Sequence, residues 1–110
     1  MQAEELVKRH IVAFGGGVKK IFWAFGLMEM SMSPEGGGYF DHTGLIYDGR
    51  GTDDPGRGIK KIGYYTYGKM TEMLRGWNGV PPRKVSTGEN IEAWEFSCGK
   101  YGTVTAAWAY

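Results

Sequence analysis

The chain has 110 residues, room for one domain of ordinary size. Apolar residues make up 42% and charged residues 23%, the balance of a folded globular protein and not of a disordered one. A net charge of +1, with lysines and arginines scattered, excludes the electrostatic signature of a nucleic-acid or anionic-membrane binder. No apolar run approaches transmembrane length, and MQAEELVKRH lacks the apolar core of a signal peptide. Cys98 is the single cysteine, which excludes an intrachain disulfide and a multi-cysteine metal site. It reads as a small, half-buried hydrophobe.

The first element predicted is an amphipathic helix over Ala3–Phe14. Ala3, Leu6, Val7, Ile11 and Phe14 recur at three- and four-residue spacing, with Glu4, Glu5, Lys8 and Arg9 opposite. His10 reads as a flank or cap residue rather than a ligand. Gly15 to Gly17 stop the helix, glycine taking the left-handed C′ conformation readily.

VKKIFWAFGL follows, Val18 to Leu27, with Trp23 at its centre. Five consecutive apolar residues without alternation predict a strand buried on both faces, as in a parallel sheet covered by helices. Such a strand needs neighbours on both edges, and no second stretch of this kind exists in the chain. Met28 to Gly58 reads as a long loop in which Tyr39-Phe40 and Gly44 to Tyr47 form a short hairpin. Asp53-Asp54-Pro55-Gly56 marks a turn.

Ile59–Trp77 is expected to be a second helix, with Ile59, Ile62, Thr66, Met70, Met73 and Trp77 in one stripe, widened by Tyr67 and Leu74. Gly63 and Gly68 weaken it by roughly 1 kcal/mol each, and permit close packing. Val80-Pro81-Pro82 is a boundary. Ile91–Ser97 then alternates, with Trp94 and Phe96 on one face. After a turn over Gly99 to Gly102, Thr103–Trp108 alternates again, which together is an antiparallel hairpin. Two strands alone are marginal in water. The inventory therefore reads as the end of a larger protein, or else as a homo-oligomer whose copies supply the missing strands.

The order of GVKKIFWAFGL, YFDHTGLIYDG and GIKKIGYYTYGKMTEMLRGW resembles the end of a (β/α)8-barrel glycoside hydrolase. It is most similar to the clan A retaining enzymes of the xylosidase and iduronidase-like family. The resemblance implies an α/β fold: a partial (β/α)8 barrel, its last helix–strand–helix in residues 1–80, followed in residues 81–110 by a linker and a β-hairpin opening a C-terminal β-sandwich. Ala3–Phe14 would be the seventh barrel helix, Val18–Leu27 the eighth strand and Ile59–Trp77 the eighth helix. The family's proline at the helix start is Ile62 here, and its small alanines are Gly63 and Thr66.

In such a barrel the site lies at the C-terminal ends of the strands. The resemblance implies a carbohydrate substrate walled by Trp23, Phe25 and Glu29, with Trp23 alternatively a barrel-core aromatic. The family's acidic residue after the strand tryptophan is absent at Leu27, and Glu29 lies two positions on. Retaining glycosidases need two carboxylates ~5–5.5 Å apart. By the resemblance both precede this chain, so it supplies no catalytic residue, and no cofactor or metal is expected. Glu29, Glu35, Asp41, Asp48, Asp53 and Asp54 show no pairing in their spacing. Gly63 to Met70 misses the phosphate-loop pattern at Met70, Asp48 to Asp54 lacks the alternating ligands of a calcium loop, and Asp41-His42 reads as a turn pair. The competing function is a non-catalytic carbohydrate-binding or protein-interaction module, and the third a truncated piece without independent function.

Overall fold

The computed structural model describes residues 2–23, 43–49 and 53–110. These form a small mixed α/β unit: two helices, α1 (Gln2–Gly15) and α2 (Ile62–Met73), and an antiparallel meander of β1 (Arg83–Gly88), β2 (Ile91–Ser97) and β3 (Thr103–Ala109). Both helices contribute to apolar clusters that reach one face of the sheet.

Helix α1 forms where the periodicity places it. Lys8 Nζ reaches Glu4 Oε1 at 2.6 Å and Arg9 Nε reaches Glu5 Oε2 at 3.5 Å, acidic residue first, the favourable i,i+4 order. The helix closes on a Schellman motif. Val18 N–H donates to the Ala13 carbonyl and Gly17 N–H to that of Phe14, each at 3.0 Å, with Gly17 at φ 88°.

The buried strand expected at Val18–Leu27 does not form over its described part. Val18 to Trp23 makes no strand pairing, and Phe22 is 88% exposed. Ala24 to Leu27 lie outside the described residues. A strand buried on both faces requires ladders on both edges, and the sheet of this chain is assembled from its C-terminal third. Residues 18–23 therefore run without regular structure beside the helices, anchored where the Trp23 indole N–H donates to the Thr43 carbonyl.

Gly44 to Tyr47 pairs with the run-in to α2. Tyr47 N–H donates to the Ile59 carbonyl at 2.9 Å, Gly58 N–H to that of Tyr47 at 2.7 Å and Lys61 N–H to that of Leu45 at 2.9 Å, around a bridge between Ile46 and Lys60. These bonds hold residues 59–61 extended, so α2 starts at Ile62 and not at Ile59. Tyr39-Phe40, the expected partner of this segment, lies outside the described residues. The α2 face keeps part of the expected stripe: Met70 is buried and Tyr67, Leu74 and Trp77 pack on the core, whereas Ile59, Ile62 and Met73 are exposed and Gly63 is buried instead. At Gly63 an added Cβ would lie 3.0 Å from Leu45 Cδ2, so glycine allows this close approach.

The expected hairpin is present, and β1 extends it to a three-stranded sheet. Only Val85 is apolar and described in the interior of β1. Its pairing is reinforced by charge instead: Arg83 Nη2 to Glu95 Oε1 at 3.0 Å and Lys84 Nζ to Glu92 Oε1 at 3.5 Å. Two apolar clusters complete the fold. Leu6, Leu45 and Met70 form one, while Ile11, Phe96 and Cys98 form the other, and Val7 and Leu74 pack against both. The second cluster joins residues on either side of the expected boundary near position 80.

Candidate functional site

Helix α1 presents Leu6, His10 and Phe14 at four-residue spacing, one face of the helix. His10 is 3% exposed. Its Nδ1 lies 2.7 Å from the Leu6 carbonyl oxygen. A carbonyl only accepts, so Nδ1 carries a proton, and the neutral imidazole then bears its lone pair on Nε2. Nε2 is buried and has no hydrogen-bond partner among the described residues. Leaving such an atom unpaired costs about 1–3 kcal/mol.

The ring is held by aromatics on three sides. Trp23 stacks on it at 6.1 Å between centroids and 20° between planes, while Tyr67 at 5.4 Å and Phe14 at 6.1 Å meet it edge-on. Trp23 is fixed in turn by its indole N–H, which donates to the Thr43 carbonyl at 2.8 Å. The His10 orientation is therefore determined both along α1 and across to the 43–47 segment.

His10 lines a cavity of about 220 Å³ between α1, α2 and residues 19–21. Phe14, Tyr67, Leu74 and Trp77 supply apolar wall, while Lys19, Lys20 and Thr71 add polar groups. Among the described residues no carboxylate lines it. Drug-sized ligands occupy roughly 300–1,000 Å³, so this space suits a single ring-sized group. It combines flat apolar surface, one oriented acceptor and two ammonium groups.

Of the residues expected to wall a substrate, Trp23 stands behind His10, with one face on the imidazole and its N–H committed to Thr43. Phe25 and Glu29 lie outside the described residues, as do Glu35, Asp41 and His42. Asp54 serves a turn: its Oδ1 accepts the Gly56 N–H at 2.8 Å and its Oδ2 the Tyr47 hydroxyl at 3.1 Å. Gly63 to Met70 is helical and cannot wrap a phosphate. No group of three or more histidine, cysteine or acidic side chains able to hold a metal occurs among the described residues. No described helix is long and apolar enough to cross a membrane.

His10, expected to be a flank or cap residue, is instead buried within α1. Its signal was positional: it lies midway between Leu6 and Phe14 on the buried stripe, and a polar side chain in that register has to find a partner or a ligand.

A second polar cluster lies on the sheet. Glu92 accepts hydrogen bonds from the Tyr110 hydroxyl and from Trp94 Nε1 at 2.8 Å, with Lys84 beyond. The Tyr110 hydrogen bond first, and then that of Trp94, hold its carboxyl below the usual glutamate range. This carboxylate is spoken for by its neighbours and anchors the β2–β3 register. No family model, curated protein or solved structure matches the chain.

Proposed function

We propose that this chain is a non-catalytic carbohydrate-binding module whose site is the His10 cavity. The observation that carries the reading is an aromatic-lined space beside His10, whose buried Nε2 has no hydrogen-bond partner among the described residues. A saccharide ring fits its chemistry. The C–H faces of the ring lie on Phe14, Tyr67 or Trp77, and one hydroxyl donates to Nε2. Lys19 and Lys20 then receive further oxygens of the sugar.

The resemblance to a retaining glycosidase extends the same reading. There the chain would be the last part of a (β/α)8-barrel enzyme, with Trp23, Phe25 and Glu29 toward the substrate and the catalytic carboxylates supplied from elsewhere. Among the described residues that line the cavity there is no carboxylate pair of the kind glycoside cleavage uses. Binding without turnover is accordingly the activity proposed for these 110 residues.

Titration of the 15N-labelled chain with a panel of neutral and acidic monosaccharides tests the reading. The expected result is a saturable shift of the His10 Nε2 and Trp77 indole Nε1 resonances, with the Trp77 shift lost in His10→Phe. Absence of any saturable shift, or equal binding by His10→Phe, overturns it.

A further inference from the structure

Among the described residues both outer strands of the sheet have an open side, since the order is β1-β2-β3, but they are protected very differently. β1 is preceded by Pro81-Pro82, carries Arg83 and Lys84, and breaks register between Ser86 and Gly88. Proline, charge and a bulge are the devices that keep an edge from pairing with another chain. β3, TVTAAWA, has none of them: seven residues, no charge, no proline, and unbroken register against β2 from Thr103 to Ala109.

The backbone groups that β3 leaves open follow from the antiparallel alternation. Tyr110 N–H donates to the Asn90 carbonyl at 2.9 Å, and the Gly102 carbonyl accepts from Cys98 N–H at 2.8 Å. Even-numbered positions therefore face β2, and the N–H and C=O groups of Thr103, Thr105, Ala107 and Ala109 face outward. Among the described residues these outward groups have no backbone partner outside the strand pairing.

We infer that β3 is a homodimerisation edge, pairing antiparallel with β3 of a second copy of this chain about a two-fold axis at Ala106. The strand is self-complementary in that register. With the axis at its midpoint, Thr103 meets Ala109 and Thr105 meets Ala107 of the second copy, so every outward donor finds an outward acceptor. The axis falls on a non-hydrogen-bonded pair, where Cα atoms approach to about 4.5 Å, and the residue there is alanine. The strand itself is uncharged, so an isologous contact sets no like-charged strand residues opposite one another, and Lys69 of the adjoining groove is paired with Glu72 at 3.1 Å.

The second copy also continues the apolar face. Its Trp108 stands beside Val104, next to a groove of about 250 Å³ lined by Val7, Ile11, Met73 and Val104. Met73 is 46% exposed there. The three-stranded sheet becomes six-stranded, and the β1 edges, already protected, become the outer ones. A strand from a different protein is the other conceivable occupant, and it leaves the isolated chain monomeric.

Sedimentation equilibrium of the full chain at low ionic strength tests the register with two charge variants. Thr105 and Ala107 are exposed, so both positions tolerate substitution in the monomer. T105K/A107K sets like charges opposite one another across the axis, and its dimer dissociation constant is expected to rise at least about tenfold. T105K/A107E sets opposite charges there and restores dimerisation. A wild-type chain that stays monomeric overturns the proposal, as does a T105K/A107K chain that dimerises as tightly as wild type. If both variants are folded by circular dichroism yet equally monomeric, the register is wrong and the proposal falls with it.

Discussion

The indole of Trp94 lies directly against Gly15, so closely that a Cβ on that glycine would stand 2.2 Å from Trp94 Cζ3 and 2.5 Å from Cη2. This contact seats the C-terminal turn of α1 on the sheet. Trp94 cannot swing aside at little cost, because its Nε1 donates to Glu92 and Lys84 lies 5.4 Å from the ring centroid.

Gly15→Ala is therefore expected to destabilise the fold by about 1–3 kcal/mol, as overpacking does. Gly68→Ala is expected to act in the opposite sense. It lies inside α2, no atom stands within 4 Å of its would-be Cβ, and its φ is not positive, so the ordinary gain of about 0.5–1 kcal/mol applies. Urea denaturation of the two variants beside wild type measures both signs. Equal effects at the two positions would rule out the Trp94 contact as the cause.

His10→Phe separates a binding histidine from a structural one. The substitution removes an unpaired buried acceptor and keeps an aromatic ring against Trp23 and Tyr67, so stability is expected to rise by about 1 kcal/mol. Sugar binding is expected to disappear at the same time. A destabilised variant that still binds would assign His10 to the core alone. Thermal melting and the saccharide titration, run on the same preparation, read the two quantities.

The parts of the fold legible in the sequence were those whose residues carry their own periodicity. α1 repeats its apolar residues every three to four positions and ends on three glycines, and the structure follows both signals. β2 and β3 alternate around Trp94, Phe96, Val104 and Trp108, all of which pack on the helices. β1 was hidden because its partner's carboxylates, not its own apolar residues, hold it: Arg83 and Lys84 acquire meaning only opposite Glu95 and Glu92. Val18 to Trp23 misled for the converse reason. Its residues favour a strand, but local preference cannot form a ladder without neighbours. On α2, Gly63 is buried while Ile62 is exposed, an inversion that depends on Leu45 arriving from a distant segment. The site was half visible. Trp23 stood out by its aromatic surroundings, whereas His10 acquires its role only when α2 and the 19–21 segment close a cavity over it.

Glu92 makes the stability of the sheet sensitive to acid. The Tyr110 hydroxyl and the Trp94 indole N–H stabilise the carboxylate form, so the folded-state pKa lies below the ordinary 4.5. Stability from this source is fully present above the unfolded value and is lost as pH falls through the lower folded value. Tyr110→Phe removes the larger of the two hydrogen bonds and is expected to flatten the fall in stability below about pH 4.5, with little change in slope near neutrality. Denaturant midpoints across that range measure it. An unchanged acid slope in Tyr110→Phe would place the acid sensitivity elsewhere.

Lys19 and Lys20 bear on which sugars the cavity favours. Both line it, and among the described residues no lining carboxylate offsets their charge. An acidic monosaccharide is therefore expected to bind more tightly than its neutral counterpart, by about 0.3–1 kcal/mol for each exposed ion pair. The difference should shrink with added salt, since exposed pairs are screened beyond about 10 Å at 0.1 M ionic strength. The double variant Lys19→Ala/Lys20→Ala is expected to bind neutral and acidic sugars alike while keeping the His10 Nε2 response. Calorimetric titration with one acidic and one neutral sugar, at low and at moderate salt, measures all three effects. A preference that survives the double substitution would trace the selectivity to the aromatic wall and His10 instead of to the lysines.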